Sequence, residues 1–191
     1  MGFNAQRPGP SGAGAEALHG SPPARLPFAG VVAATRGCSS LSEYGANRFF
    51  RRRAEGVYDM VDLAFRTEKM TDFIRAHRKA HDGAPVYGLG YSNGANILAS
   101  VIFEAPELFD RVVLMHPLIP WEPEANAALK SLDVLITAGR HDPISPLPLT
   151  ESLARYLAEQ GAKVDLRLHD GGHEVRPQEA DFITTFLRRD P

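Results

Sequence analysis

From Leu41 onward, short apolar runs alternate with longer stretches whose apolar residues recur at helical spacing. Asp59 to Lys79 carries Val61, Phe65, Phe73, Ile74 and His77 at such intervals, with Asp59 placed to cap the helix they predict. Pro85 to Leu89 (PVYGL) predicts a strand running into Gly90-Tyr91-Ser92-Asn93-Gly94, and Ala95 to Phe103 a helix that stops before Pro106. Arg111 to Met115 (RVVLM) and Asp133 to Thr137 (DVLIT) read as buried strands. Leu149 to Gln160 predicts an amphipathic helix stopped by Gly161. Lys163 to His169 alternates Val164, Leu166 and Leu168 with polar neighbours, as a strand does. Pro177 to Arg188 predicts a last helix with Pro in its first turn. Strand and helix exchanging at such short intervals predict an α/β fold, a mostly parallel sheet with helices on both faces.

Residues 1–40 break this rhythm. Twenty of them are Gly, Ala or Pro, Glu16 is the only acid, and Lys is absent. Only Phe28 to Ala34 (FAGVVAA) could supply a strand. Such composition offers too little burial to offset the entropy of ordering. The expectation is a disordered arm over 1–40 and one α/β domain over 41–191.

Composition then narrows the function. A chain of 191 residues with 43% hydrophobic and 23% charged residues suits one globular core. Its net charge of −2 excludes a dominant nucleic-acid role, which rests on a basic face. Cys38, the single cysteine, cannot form an internal disulfide and fits a reducing compartment. No apolar stretch approaches the roughly 20 residues a bilayer crossing needs, and no secretory signal opens the chain. A cytoplasmic protein without a membrane span is expected.

Gly90-Tyr91-Ser92-Asn93-Gly94 fits G-x-S-x-G, a sharp strand-to-helix turn that lifts a serine oxygen clear of a sheet. The glycines there remove side chains where strand and helix approach each other. A serine hydroxyl needs a base, and the base needs an orienting acid. Asp142, in AGRHDPI, and His173, in DGGHE, each follow a predicted strand, which puts both at the sheet edge where such folds place their sites. His141, His169 and His116 are rivals for the base: His169 sits at a strand end, and His116, before Pro117, suits a pocket wall. His19, His77 and His81 read as arm or helix surface. Asp170 competes with Asp142, whereas Asp133 and Asp165 lie within strands and far from Ser92. His169 and His173 are separated by two glycines, no H-E-x-x-H occurs, and no phosphate-cradling glycine loop is present. Neither a metal nor a cofactor is expected.

GLGYSNGANI, AGRHDPISP and DGGHEV together resemble the small serine esterases of the α/β-hydrolase fold, the phospholipase/carboxylesterase group related to acyl-protein thioesterases and dienelactone hydrolases. Ser42 to Asp59 resembles the bacterial branch of that group, and the likeness spans roughly residues 42 to 190. The resemblance implies Ser92 as nucleophile, Asp142 as orienting acid and His173 as general base, acting on small-molecule esters or thioesters through an acyl-enzyme. It implies the Asn93 backbone N–H as one oxyanion donor. Tyr91, Met115, Leu118, Ile119 and Trp121 cluster after the nucleophile turn and RVVLM, and Tyr91, Leu118 and Trp121 are the expected substrate contacts. Phe49-Phe50 followed by Arg51-Arg52-Arg53 reads as a solvated charge run.

The N-terminal end departs from that family. Its members open with an apolar strand and a His-Gly-x-Gly-type loop that supplies the second oxyanion donor. Here the only His-Gly is His19-Gly20, followed by Ser21-Pro22-Pro23, and proline has no N–H to give. The expectation is that residues 1 to about 40 replace the family's first strands and helix. Loss of one oxyanion donor typically costs about a hundred- to a thousandfold in turnover, so the alternative function is a weak or inactive binding module. Missing strands would also uncover a sheet edge and invite pairing with a second copy, a homodimer.

Overall fold

The computed structural model describes residues 29–32, 41–43, 46–54, 56–81 and 83–189. Five strands form one sheet: β1 (Ala29–Val32), β6 (Val86–Tyr91), β7 (Arg111–Met115), β8 (Asp133–Gly139) and β9 (Lys163–His169), in that spatial order and all parallel. β1 therefore comes from the one stretch of residues 1–40 with strand-forming sequence; residues 1–28 and 33–40 lie outside the described residues. Between β1 and the first helix run two small antiparallel ribbons, β2 (Leu41–Glu43) with β3 (Ala46–Arg48), and β4 (Arg52–Ala54) with β5 (Val57–Tyr58).

Among the described residues, four α-helices cover the sheet. α1 (Met60–Ala80), α2 (Asn93–Glu104) and α3 (Leu147–Glu159) pack on one face, and α4 (Pro177–Leu187) on the other. The strands divide by period two. Val112, Leu114, Val134 and Ile136 join the α1–α3 core, whereas Val113, Met115 and Leu135 meet Phe186 of α4. With both faces covered, β7 is buried at every position, as its apolar run from Val112 to Met115 requires.

Asp59 caps α1, its carboxylate accepting the Asp62 N–H at 3.2 Å. The inward stripe of α1 differs from the expected one. Leu63, Thr67, Met70 and Ile74 are buried, whereas Val61 and Phe65 are 82% and 50% exposed. Thr67 fits this inner stripe because its hydroxyl donates to the Leu63 carbonyl at 2.9 Å. Gly161 stops the α3 segment with φ of +90°, a left-handed turn that costs glycine least. Among the described residues no helix is long and apolar enough to cross a membrane.

Register decides what meets at the sheet's C-terminal edge. Tyr91 pairs with Met115, Met115 with Thr137, and Gly139 with His169. The residues that follow these strand ends, from Ser92, His116, Arg140 and Asp170 onward, therefore leave the sheet along one edge. Val32 pairs with Leu89, so the chain leaves β1 on that edge too.

Candidate active site

β6 ends at Tyr91 and α2 begins at Asn93, so the reversal falls on Ser92, with φ 52° and ψ −117°. A non-glycine residue in such a conformation costs of order 1–3 kcal/mol and persists only where its surroundings hold it. Here the Ser92 N–H donates to the Met115 carbonyl at 2.8 Å, and the Asn96 N–H to the Ser92 carbonyl at 3.0 Å. The two motif glycines are not equivalent. A β-carbon on Gly90 would collide with the Gly94 carbonyl, whereas one on Gly94 would meet only the Phe49 ring at 3.5 Å.

Asp142 follows the end of β8, its side chain fully buried. Oδ1 accepts the backbone N–H groups of Ile144 and Ser145, both at 2.8 Å. Oδ2 lies 2.7 Å from Nδ1 of His173 and 2.9 Å from Nδ1 of His116. Burial pushes the carboxyl's pKa up, but the Ser145 N–H, the two imidazoles and the Ile144 N–H together hold it below the ordinary value.

The loop bearing His173 docks backbone to backbone on the end of β8. Arg140 N–H donates to the His169 carbonyl at 2.8 Å and His141 N–H to the Gly171 carbonyl at 2.9 Å. His173 Nε2 then stands 2.8 Å from the Ser92 hydroxyl. Ser92, His173 and Asp142 thus form one continuous hydrogen-bonded line.

The rivals are placed elsewhere. Asp170 is exposed and pairs with Arg140 at 3.2 Å; Asp133 pairs with Lys163 at the opposite edge of the sheet, at 3.4 Å. Asp165 binds Arg167 and Arg189, both at 2.6 Å. His141 is exposed, and His77 and His81 bond carbonyls of their own helix. His19 lies outside the described residues. His116 is no pocket wall: it is completely buried behind Asp142, with His169 and Glu179 beside it.

The expected substrate contacts separate. Tyr91 donates its hydroxyl to the His173 carbonyl at 2.6 Å, and so anchors the histidine loop. Burial, then the Asp142, Glu179 and Glu174 carboxylates, raise its pKa, which keeps it a neutral donor. Leu118 is core: its N–H donates to Asn96 at 2.7 Å and its carbonyl accepts the Tyr58 hydroxyl at 2.7 Å. Met115 and Ile119 are buried as well. Trp121 stacks edge-on against Tyr58 and lines a cleft of about 500 Å³ together with Met60, Leu63, Phe103 and Glu104. Asn93 is the first residue of α2, where a backbone N–H has no acceptor within the helix. Its side chain accepts the Phe49 N–H at 2.8 Å and draws that segment over the start of the helix. Phe50 is fully buried against Tyr58, while Arg51 and Arg53 are exposed.

Glu179 is the residue that sequence reasoning missed. It is wholly buried, accepting the Arg176 N–H at 2.7 Å and the Thr137 hydroxyl at 2.6 Å. An acid three residues into a proline-started helix was the available signal, because that spacing lets it reach back to the cap. Among the described residues, two groups bring enough donors together to reach a cation by type alone: His116 with His169 and Glu179, and His116 with Asp142 and His173. In the second, hydrogen bonds between the members already engage both Nδ1 atoms and Oδ2.

The dienelactone hydrolase family model matches residues 48–176. The crystal structure of Atu2452 from Agrobacterium tumefaciens str. C58, a protein of unknown function, is 56% identical, with a TM-score of 0.74 over 78% of this chain and 74% of that one. The Bacillus cereus carboxylesterase is 35% identical, with a TM-score of 0.72 over 76% of this chain and 70% of that one. A carboxylesterase from Mesorhizobium loti is 26% identical, with a TM-score of 0.68 over 76% and 70% of the two chains.

Proposed function

The chain belongs to the dienelactone hydrolase family and has the α/β-hydrolase fold, and on that premise we propose that it is a serine hydrolase cleaving carboxylic esters or thioesters of small to medium acyl chains. One observation carries the reading: the Ser92 hydroxyl lies 2.8 Å from His173 Nε2, and His173 Nδ1 lies 2.7 Å from Asp142 Oδ2. Asp142 stays ionised, so the proton between it and His173 sits on Nδ1. Nε2 is then bare and accepts the Ser92 proton as the oxygen attacks the acyl carbon. The imidazolium formed gives that proton to the leaving alkoxide or thiolate, and an acyl-serine remains. Water enters, and His173 takes one of its protons as the water oxygen attacks the acyl carbon. The bond from that carbon to the Ser92 oxygen breaks to release the carboxylic acid, and Ser92 recovers its proton from His173.

Negative charge on the acyl oxygen needs donors. The Asn93 N–H is one, at the positive end of α2. The likeness to the Bacillus cereus carboxylesterase favours an ester over other acyl compounds.

The test is labelling by a fluorophosphonate probe with a chain-length series of nitrophenyl esters. Wild-type protein is expected to label and to turn over, and Ser92→Ala to do neither. Folded wild-type protein that fails to label would replace this reading with that of a binding module on a hydrolase fold.

A further inference from the structure

Behind Asp142 lies a polar layer that the proposed hydrolysis does not use. His116 Nδ1 faces Asp142 Oδ2 at 2.9 Å, and its Nε2 stands 3.3 Å from Glu179 Oε1 and 3.3 Å from His169 Nε2. His169 Nε2 lies 3.5 Å from Glu179 Oε2. The side chains of His116, Asp142 and Glu179 are fully buried, and that of His169 nearly so. Tyr91 and His173 present their rings to His116 at 5.7 Å and 5.2 Å. With Thr137 on Glu179, these are the polar and titratable groups that surround the His116 ring.

His116 is also strained. Its φ is +50°, a conformation a non-glycine residue rarely adopts, and the backbone is pinned there on both sides. Its N–H donates to the Thr137 carbonyl at 2.8 Å, and its carbonyl accepts the Ser145 hydroxyl at 3.1 Å. A strained, buried imidazole costs stability, which points to a task for the ring. The hydrogen bonds indicate which. An ionised carboxylate only accepts, so both Nδ1 atoms that share Asp142 Oδ2 carry protons. With Nδ1 committed, His116 turns Nε2 toward Glu179 and His169, and rotating the ring would take one donor from the buried Asp142 carboxylate.

We infer that His116, backed by His169 and Glu179, is a positioning residue: its Nδ1–H holds the Asp142 carboxylate ionised and turned so that His173 keeps its proton on Nδ1 and its bare Nε2 toward Ser92. This rests on the hydrolase reading above. It gives the buried Glu179 a part in the reaction although the side chains of His116, Asp142 and His173 stand between it and Ser92.

The experiment compares His116→Asn with His116→Gln, both polar and smaller than or close to histidine in size. Asparagine tolerates the left-handed backbone and puts an N–H near the place of Nδ1; glutamine puts its amide near the place of Nε2 and leaves Oδ2 without that donor. With a nitrophenyl ester, His116→Asn is expected to keep kcat within about threefold of wild type. His116→Gln is expected to lose about ten- to a hundredfold in kcat, the usual worth of a hydrogen bond to a charged group, with KM little changed. The acid limb of its kcat/KM, which reports protonation of the His173 base, moves to higher pH, because a carboxylate freed of the His116 donor stabilises the imidazolium more. Thermal unfolding run on both variants confirms that the comparison is between folded proteins.

Two results would overturn the inference: equal kcat and equal acid limbs in the two variants, or a stoichiometric metal ion in the purified protein, which would assign His116, His169 and Glu179 to that ion. Failure of the hydrolase reading itself would look different, as wild-type protein would not label at all.

Discussion

Gly139 and Gly172 lie so close that a β-carbon on Gly139 would collide with the Gly172 carbonyl oxygen, and would stand 2.9 Å from the Gly171 carbonyl carbon. The end of β8 therefore sets where the His173 loop rests. Both partners are backbone, so no flexible side chain can yield.

Gly139→Ala is expected to push that loop outward and open the gap between His173 and Ser92. A displacement of about 1 Å at a reacting group can cost a hundredfold in rate. Labelling by a fluorophosphonate should slow by about that factor, and urea unfolding should show a loss of about 1–3 kcal/mol from overpacking. An unchanged labelling rate would mean that the loop finds its place without this contact.

The nucleophile turn offers a paired comparison. Gly90→Ala would drive a β-carbon to 2.6 Å from the Gly94 carbonyl carbon and 2.7 Å from the Ala95 nitrogen, so strand and helix must part. Gly94→Ala meets only the Phe49 ring at 3.5 Å, and alanine is worth up to about 1 kcal/mol over glycine inside a helix. Gly90→Ala is expected to lower stability by more than about 2 kcal/mol and to abolish labelling. Gly94→Ala should unfold at or slightly above the wild-type temperature, and parallel melting curves measure both.

What the chain discloses before folding depends on how local the cause is. Within RVVLM and DVLIT the three or four central positions are all apolar, so the burial of those positions on both faces follows from composition. Ser92, Asp142 and His173 were nominated by a turn motif and by loops after strands, both local signals. Those side chains meet because Tyr91, Met115, Thr137, Gly139 and His169 stand in register, which four separate runs of sequence determine together. His116 was misjudged for that reason. A histidine before proline looks like a pocket wall until β7 and β8 align and bring Asp142 onto its ring. The place of Leu118 in the core was hidden similarly, because its clamps, Asn96 and Tyr58, are 22 and 60 residues away. On α1 the difficulty was different, because Val61 and Phe65 outscore the threonines of the true inner stripe by hydrophobicity alone.

Tyr91→Phe isolates the anchor on the histidine loop. It removes the hydroxyl that donates to the His173 carbonyl at 2.6 Å and leaves the ring beside His116 and His173. A neutral hydrogen bond is worth about 0.5–1.5 kcal/mol, so kcat should fall by about two- to tenfold while KM holds. Had Tyr91 been a substrate contact, KM would rise instead. A Michaelis series over ester chain length separates the two.

Asp142 ties the reaction to acid stability. Its folded carboxyl titrates below its ordinary value, held down against burial by Ser145, His116, His173 and Ile144. The stability it contributes is therefore fully present above the unfolded carboxylate value of about 3.9, and is lost as pH falls from there through the lower folded value. Asp142→Asn cannot titrate, so its unfolding free energy should fall less steeply than that of wild type between about pH 4 and pH 2. Asp165, also lowered, by Arg167 and Arg189 against burial, is retained in both proteins and cancels in the comparison. At neutral pH the amide cannot hold the His173 proton on Nδ1, and kcat is expected to drop by about ten-thousandfold with little change in KM. Denaturant titrations at stepped pH, beside nitrophenyl ester kinetics, measure both effects. Equal acid slopes in the two proteins would remove Asp142 from the account of acid unfolding, and an undiminished kcat would remove it from the proton relay.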